Sequence, residues 1–451
     1  MDPILILQMV MVAILGAVIY TIVGIAPGTD ETATIAPVML VIVLSGLEPI
    51  LVLTFFMSAI IANKLTDSVP VAVAGIPGGV MATPMVEHAL VLKKHGFADV
   101  SIRKMVSGSV VGTLVAVPVS LLLANALIPV ADAIKDFANP LFFIGTIILA
   151  LLSKNRLLAL AAIIPFALLI QGLRHLYWGL GIVPEGTNVF ISFFLGITIG
   201  PVIITLFELL NKEKRNSLER YGKKTILLNK NKEKMKFPNP FKILTREEVV
   251  KSSISSVIGS MTFILSAVGT TVLVGELFSS RIKDSVKKSS LAIACMEALA
   301  NATYISGTLI PLIALGIPLS SVALGPANAL FNAPPVFTLE HNMHHILSMS
   351  DFVWATIIGA IVALGITYFV IVKYSQQICV FVFKWVPHEA MLGLFFGLVI
   401  LLAFMDAGWL NIGGVILIGL VAGLLHRWGI NYGVLFMILY SAPWLISKLA
   451  G

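Results

Sequence analysis

The sequence predicts an all-α polytopic membrane protein of about 10–12 membrane segments in two inverted repeats, each with a Gly/Pro-broken helical hairpin. Three observations predict it. Across 451 residues the chain is 58% hydrophobic and 12% charged, with a mean hydropathy of +0.99. One long polar stretch, Asn211 to Lys251, divides the chain in two. Matching broken segments stand at equivalent places in the halves. Pro70, Gly75 and Pro77 in SVPVAVAGIPGGVMA correspond at one constant offset to Pro311, Gly316 and Pro318 in SGTLIPLIALGIPLSS. Proline removes a backbone donor and clashes with the preceding turn, and glycine adds slack. In lipid, broken backbone is tolerated only where protein buries it or it lines a wet cavity, so paired breaks point to a secondary transporter's site. Residues 1–210 then form the first membrane repeat, 211–251 a basic cytoplasmic linker and 252–451 the second repeat.

In chain order, Pro3 to Ile25 is an apolar run with no basic n-region, which predicts a retained first helix rather than a cleaved signal. APGTDET, with Pro27 and Gly28, ends it. Apolar segments at 35–47 and 49–63 lead to the first broken stretch, 63–83. Residues 85–104 carry Glu87, His88, Lys93, Lys94, His95, Asp99, Arg103 and Lys104, a density that reads as an interfacial helix and turn. Spans follow near 106–130, 140–152, 157–173 and 188–210. The second half opens with one long span at 252–278, then 289–305 and the second broken stretch. The loop 332–350 precedes spans near 351–373, 388–405, 408–425 and 430–446.

The +7 net charge comes from the linker, where 13 Lys and Arg face 5 Glu. The positive-inside rule accounts for it and places the linker in the cytoplasm, without nucleic acid. The basic turn Arg281 to Lys288 conflicts with this, because a single span between them puts the two on opposite sides. The larger charge count decides for the linker.

A helix broken at midplane presents N–H groups from one half and carbonyls from the other, which attract anions and cations respectively. The candidate substrate-binding positions are Gly78, Gly79, Thr83, Asn301, Ser320, Ser321 and Lys64. The candidate ion-binding side chains are Asn63, Thr66, Asp67, Ser68, Thr303, Ser306 and Thr308, with Thr29 nearby. Against this stands the ordinary role of a membrane Ser or Thr, a bond to its own helix. Lys64 and Asp67 are either intramembrane functional charges or a local i,i+3 pair near the surface. Asp30 and Glu31 read as surface residues, Asp406 beside Ala407-Gly408 as a turn, and EHNMHH, with His341, His344 and His345, as a solvated loop. Cys295 and Cys379 read as packed thiols. His388-Glu389 is followed by Leu392 where a zinc-protease motif needs histidine, and no Walker loop is present. These absences speak against an enzyme. No cofactor is expected beyond Na⁺ or H⁺ as coupling ion, and the alternatives are a channel built on the same broken helices or a membrane-embedded enzyme.

EALANATYISGTLIPLIALGIPLSS, residues 297–321, resembles the signature of the large membrane subunit of tripartite tricarboxylate transporters. GIAPG at 24–28 is similar to that family's early Gly/Pro loop, and AGIPGGVMAT at 74–83 to its Asn-Ile-Pro-Gly segment. The chain departs from the pattern in having a single Asn301, Leu319 after Gly-Ile-Pro, and KLTDS at 64–68 in place of a glycine-rich stretch. The resemblance implies a multi-pass inner (plasma) membrane permease, driven by Na⁺ or H⁺, for a di- or tricarboxylate. It also implies a small membrane subunit and an extracytoplasmic solute-binding protein as partners. Paired hairpins with an interfacial arm suggest an elevator. The sequence leaves the oligomeric state open, a homodimer included.

Overall fold

In the computed structural model, residues 2–25, 31–74, 80–131, 138–151, 153–185, 189–212, 238–264, 267–385 and 388–449 are described. The first half holds α1 (Pro3–Val23), α2 (Glu31–Leu44), α3 (Pro49–Thr66), α4 (Ser68–Ala74), α5 (Val86–Lys94), α6 (Ala98–Leu127), α7 (Ala138–Leu151), α8 (Arg156–Gly179) and α9 (Phe190–Leu210). The second holds α10 (Arg246–Met261), α11 (Ala267–Ser279), α12 (Ser285–Ile310), α13 (Met349–Ala363), α14 (Phe369–Trp385), α15 (His388–Arg427) and α16 (Tyr432–Leu449). Among the described residues, β structure is limited to two isolated bridges. Among the described residues, eight helical stretches are long and apolar enough to cross a membrane, and four shorter apolar helices accompany them. The chain is a multi-pass integral membrane protein.

Side-chain patterning separates the rim of the bundle from its centre. On α1 the exposed residues Ile4, Leu7, Met11, Leu15, Val18 and Ile22 recur every three or four positions, and Met9, Ala13, Ala17 and Tyr20 face inward. That face is greasy because lipid, not water, covers it. Two stretches have no outer face. The apolar window of Pro49–Ala72 is 94% buried and that of Ser285–Leu315 is 100% buried, against 33–61% for the other six. These two stretches are the axis of the protein, and both lead into the Gly/Pro segments.

Packing around the axis repeats itself. α3 lies against α1 of its own half and α13 of the other, while α12 lies against α10 of its own half and α6 of the other. Likewise α9 pairs with α15, and α16 with α8. The close approaches repeat too. A Cβ built on Gly16 would stand 2.9 Å from Phe55 O on α3, and one on Gly259 would stand 2.9 Å from Leu299 O on α12. With no hydrophobic drive between helices in lipid, such small residues let backbones touch and gain dispersion contacts. The same device joins α9 to α15, where Gly196 and Gly200 meet Gly419 and Gly423.

Three expectations change. Residues 252–278 are not one span but a helical pair, α10 and α11, whose ends meet where Lys251 Nζ donates to Phe278 O at 2.9 Å. At 1.5 Å per residue the two are only about 24 and 20 Å long, short of the roughly 30 Å needed to cross. The chain therefore returns to the side it left, and the basic turn 281–288 shares the linker's side with no conflict. The polar stretch 85–104 splits at Gly96, whose φ is +81°. Only α5 is a separate helix, and Asp99 to Lys104 form the first turns of the span α6. Nor is α5 a loose arm, because His88 is buried with Nε2 2.8 Å from Glu276 Oε1 on α11. The turn expected near Asp406 is a kink inside α15 at Ala407 and Gly408, where φ is −151° and +75°. Ser192 of α9 donates to the Asp406 carboxylate there, and Asn411 Nδ2 donates to Ser192 Oγ at 2.6 Å.

Candidate functional site

The second Gly/Pro segment is where α12 changes course. Pro311 does not stop the helix. It opens a wider π turn, Pro311–Leu315, closed by Gly316 N–H donating to Pro311 O at 2.8 Å. The turn ends because Gly316 adopts φ +67°, a left-handed conformation that costs glycine little. Pro318 and Leu319 then run without helical structure to a short helix, Ser321–Leu324.

Nearby side chains fill the hydrogen-bonding gaps of this turn. Asn342 Nδ2 donates to Gly316 O at 2.8 Å, and His344 Nδ1 donates to Ile313 O at 2.9 Å. A Cβ on Gly316 would meet His344 Cδ2 at 2.8 Å. The EHNMHH segment is therefore not simply a solvated loop: Asn342 and Met343 are buried and His344 half-buried, with His341 and His345 exposed. Sequence reasoning missed Asn342, and its only signal was position in a polar loop after a break. Because Gly316 O would lose a buried donor, Asn342→Ala is expected to cost about 1–3 kcal/mol, seen as a lowered unfolding temperature in detergent. An unchanged melt would show that water replaces the amide.

Most predicted hydroxyls bond to carbonyls three or four residues back. Ser68 donates to Leu65 O at 2.9 Å, Thr303 to Leu299 O at 2.9 Å, Ser306 to Ala302 O at 2.6 Å and Thr308 to Tyr304 O at 3.0 Å. Thr66 donates to Asn63 O at 2.9 Å and also reaches Tyr20 O on α1 at 3.3 Å. Ser320 donates to Gly307 O at 2.5 Å and accepts from Ala323 N–H at 2.9 Å, so it caps the short helix. Asn301 Nδ2 reaches across to α6, 2.6 Å from Thr113 Oγ1 and 2.8 Å from Ser109 Oγ, while its buried Oδ1 has no partner among the described residues. Pro70 lies inside α4, which stays helical to Ala74. Thr83 is in the 3-10 turn Val80–Met85, which packs on α11 and α12, and Ser321 starts its short helix. Gly75, Pro77, Gly78, Gly79 and Thr29 lie outside the described residues.

Four charged side chains gather where the end of α3 meets α12. Lys64 Nζ is 2.5 Å from Asp67 Oδ2 and 2.5 Å from Glu31 Oε1, and it stands 4.6 Å above the Tyr304 ring. Glu297 of α12 is near enough to act electrostatically on both Lys64 and Asp67. All four are between 1% and 2% exposed. The i,i+3 pair predicted for Lys64 and Asp67 exists, but deep in the protein, and Glu31, expected at the surface, is part of it. Glu31 sat beside Pro27-Gly28 and Glu297 in an apolar run, so burial of either was visible only through tertiary packing. Asn63 Oδ1, one residue before Lys64, is buried without a partner among the described residues.

A family model described as the tripartite tricarboxylate transporter TctA family matches residues 10–437. The chain belongs to that family. No curated protein and no solved structure matches it. The TctA match runs from α1 into α16, so the axis stretches, the π turn and the charged cluster all lie inside it. Membership makes the chain a membrane component of a transport system, and neither a channel nor an enzyme is favoured. Among the described residues no group of three or more His, Cys, Asp and Glu has a metal-binding arrangement.

Proposed function

We propose that this chain is the permease subunit of an ion-coupled secondary transporter for a small organic anion, a di- or tricarboxylate, in the inner (plasma) membrane. It works by alternating access of an elevator type, with its two halves as inverted repeats and Na⁺ or H⁺ as coupling ion. The observation that carries this reading is the exchange of partners between halves: α3 with α1 and α13, α12 with α10 and α6. A pseudo-two-fold axis relating inverted repeats produces that pattern. The elevator draws support from the cores. The body of α12 packs in one hydrophobic cluster, whereas Leu315, Ile317 and Leu319 at its tip pack in another with Phe194, Phe436 and Tyr440. A tip seated on a different body from its own helix is what sliding of one body past the other requires. The small membrane subunit and the extracytoplasmic binding protein belong to the same proposal.

Uptake into proteoliposomes from a panel of radiolabelled di- and tricarboxylates tests it. Saturable uptake of at least one, raised by an imposed Na⁺ or pH gradient, is the expected result. Unsaturable flux that ignores the gradient would instead make the chain a channel. A crosslink fixing Ser321–Leu324 to α16, with which it packs, is expected to arrest uptake, and continued transport would remove the elevator.

A further inference from the structure

The groups facing Lys64 are Asp67 from its own helical stretch, Glu31 from α2, and Glu297 and Tyr304 from α12. Three carboxyl groups thus share one ammonium in a space from which water is excluded. Fully ionised, the four would carry a net charge of −2. Each uncompensated buried charge costs several kcal/mol, so the deficit must be made up by bound cations or bound protons. A metal ion is poorly served. The position between Glu31 and Asp67 is filled by the ammonium, 2.5 Å from both. A proton is well served: Asp67 and Glu297 are both buried and act on each other electrostatically, and two carboxyl groups so placed ionise together only at high cost, so one holds a proton. Asp67 Oδ1 and Glu297 Oε2 are buried with no hydrogen-bond partner among the described residues, so each offers a seat for a proton.

We propose that this cluster is the coupling site of the transporter, with Lys64 as a tethered cation and a proton held between Asp67 and Glu297 as the exchangeable ion. The proposal rests on the transporter reading above and names its ion. Asp67 is carried by the α3 stretch and Glu297 by α12, the helix that ends in the π turn. Both helices pack in one hydrophobic cluster, so the pair travels with that body and meets water at the end of its stroke. The proton then leaves the carboxyl group for water, and a carboxylate remains that resists return to the dry position until it binds a proton again.

The test uses the full-length protein reconstituted with its small membrane subunit and binding protein in liposomes with a trapped pH dye, and radiolabelled citrate with the dicarboxylate panel as probes. Uptake is expected to acidify the lumen in step with substrate entry and to need no Na⁺. Glu297→Gln is expected to lower the coupled acidification by roughly tenfold or more. Infrared spectra of the purified protein give a second readout that needs no substrate. The wild type should show the C=O stretch of a protonated, buried carboxylic acid at neutral pH, lost in Glu297→Gln and shifted in Asp67→Asn. Na⁺-dependent uptake without acidification overturns the proposal, and so does a carboxylic acid band unchanged in both variants. If no carboxylate enters but the band behaves as expected, proton binding stands and the transport reading fails.

Discussion

Replacing Lys64 with methionine is expected to destabilise the protein by roughly 3–5 kcal/mol, the penalty for removing one partner of a buried ion pair. Methionine keeps the length of the stem, so packing changes little. What remains is Glu31, Asp67 and Glu297 facing one another with no cation, each at most 2% exposed. Protonation of the carboxyls recovers part of the loss, so the deficit should grow as pH is raised. The double variant Lys64→Met with Glu31→Gln removes one charge of each sign and is expected to recover much of the stability. Thermal unfolding in detergent at two pH values reads both effects. A single variant as stable as the wild type would mean that water enters the cluster.

Gly108→Val is expected to have the other large effect, separating α6 from α12. A Cβ at Gly108 would lie 2.4 Å from Ala294 O, and one at Gly112 would lie 2.6 Å from Ala298 O. Both obstructing atoms are backbone, so no side chain can swing away. Overpacking of this kind costs about 1–3 kcal/mol or more, and here it also strains the bonds from Asn301 to Ser109 and Thr113. Gly172, with nothing within 4 Å of its built Cβ, is the control. Gly172→Ala should melt like the wild type, and Gly108→Val should melt lower and express poorly. Equal melting of the two would show that the helices part easily at this seam.

The membrane class and the two central stretches were legible in the sequence, because lipid imposes composition and length directly. The Gly-Ile-Pro segment at 316–318 marked the place where α12 changes course for the same reason: proline and glycine act on the backbone locally. The helical pair α10–α11 was not legible. Like a span, it carries no charge from Ser252 to Gly275, and the contact between Lys251 and Phe278 reveals the return. Glu31 was misplaced because a carboxylate beside Pro27-Gly28 looks like a surface turn until Lys64, 33 positions on, is brought against it. The hydroxyls were noticed for their oxygens, but most are committed to carbonyls three or four residues back. No one-dimensional pattern tells such a bond from a free ligand.

The buried cluster also bears on how the protein is made. Lys64 and Asp67 lie in the stretch Pro49–Ala72, which must leave the translocon and enter lipid long before residue 297 is synthesised. A lysine is costly to insert alone, by about 2.5–3.5 kcal/mol at a helix centre on the translocon scale. This one emerges with Asp67 one turn away and with Glu31 already made, so its charge can be neutralised by partners from the same nascent half. Glu297 joins only when α12 docks. The first half thus brings its own counter-ions into the bilayer, and the last carboxyl group is added when the two halves close on each other.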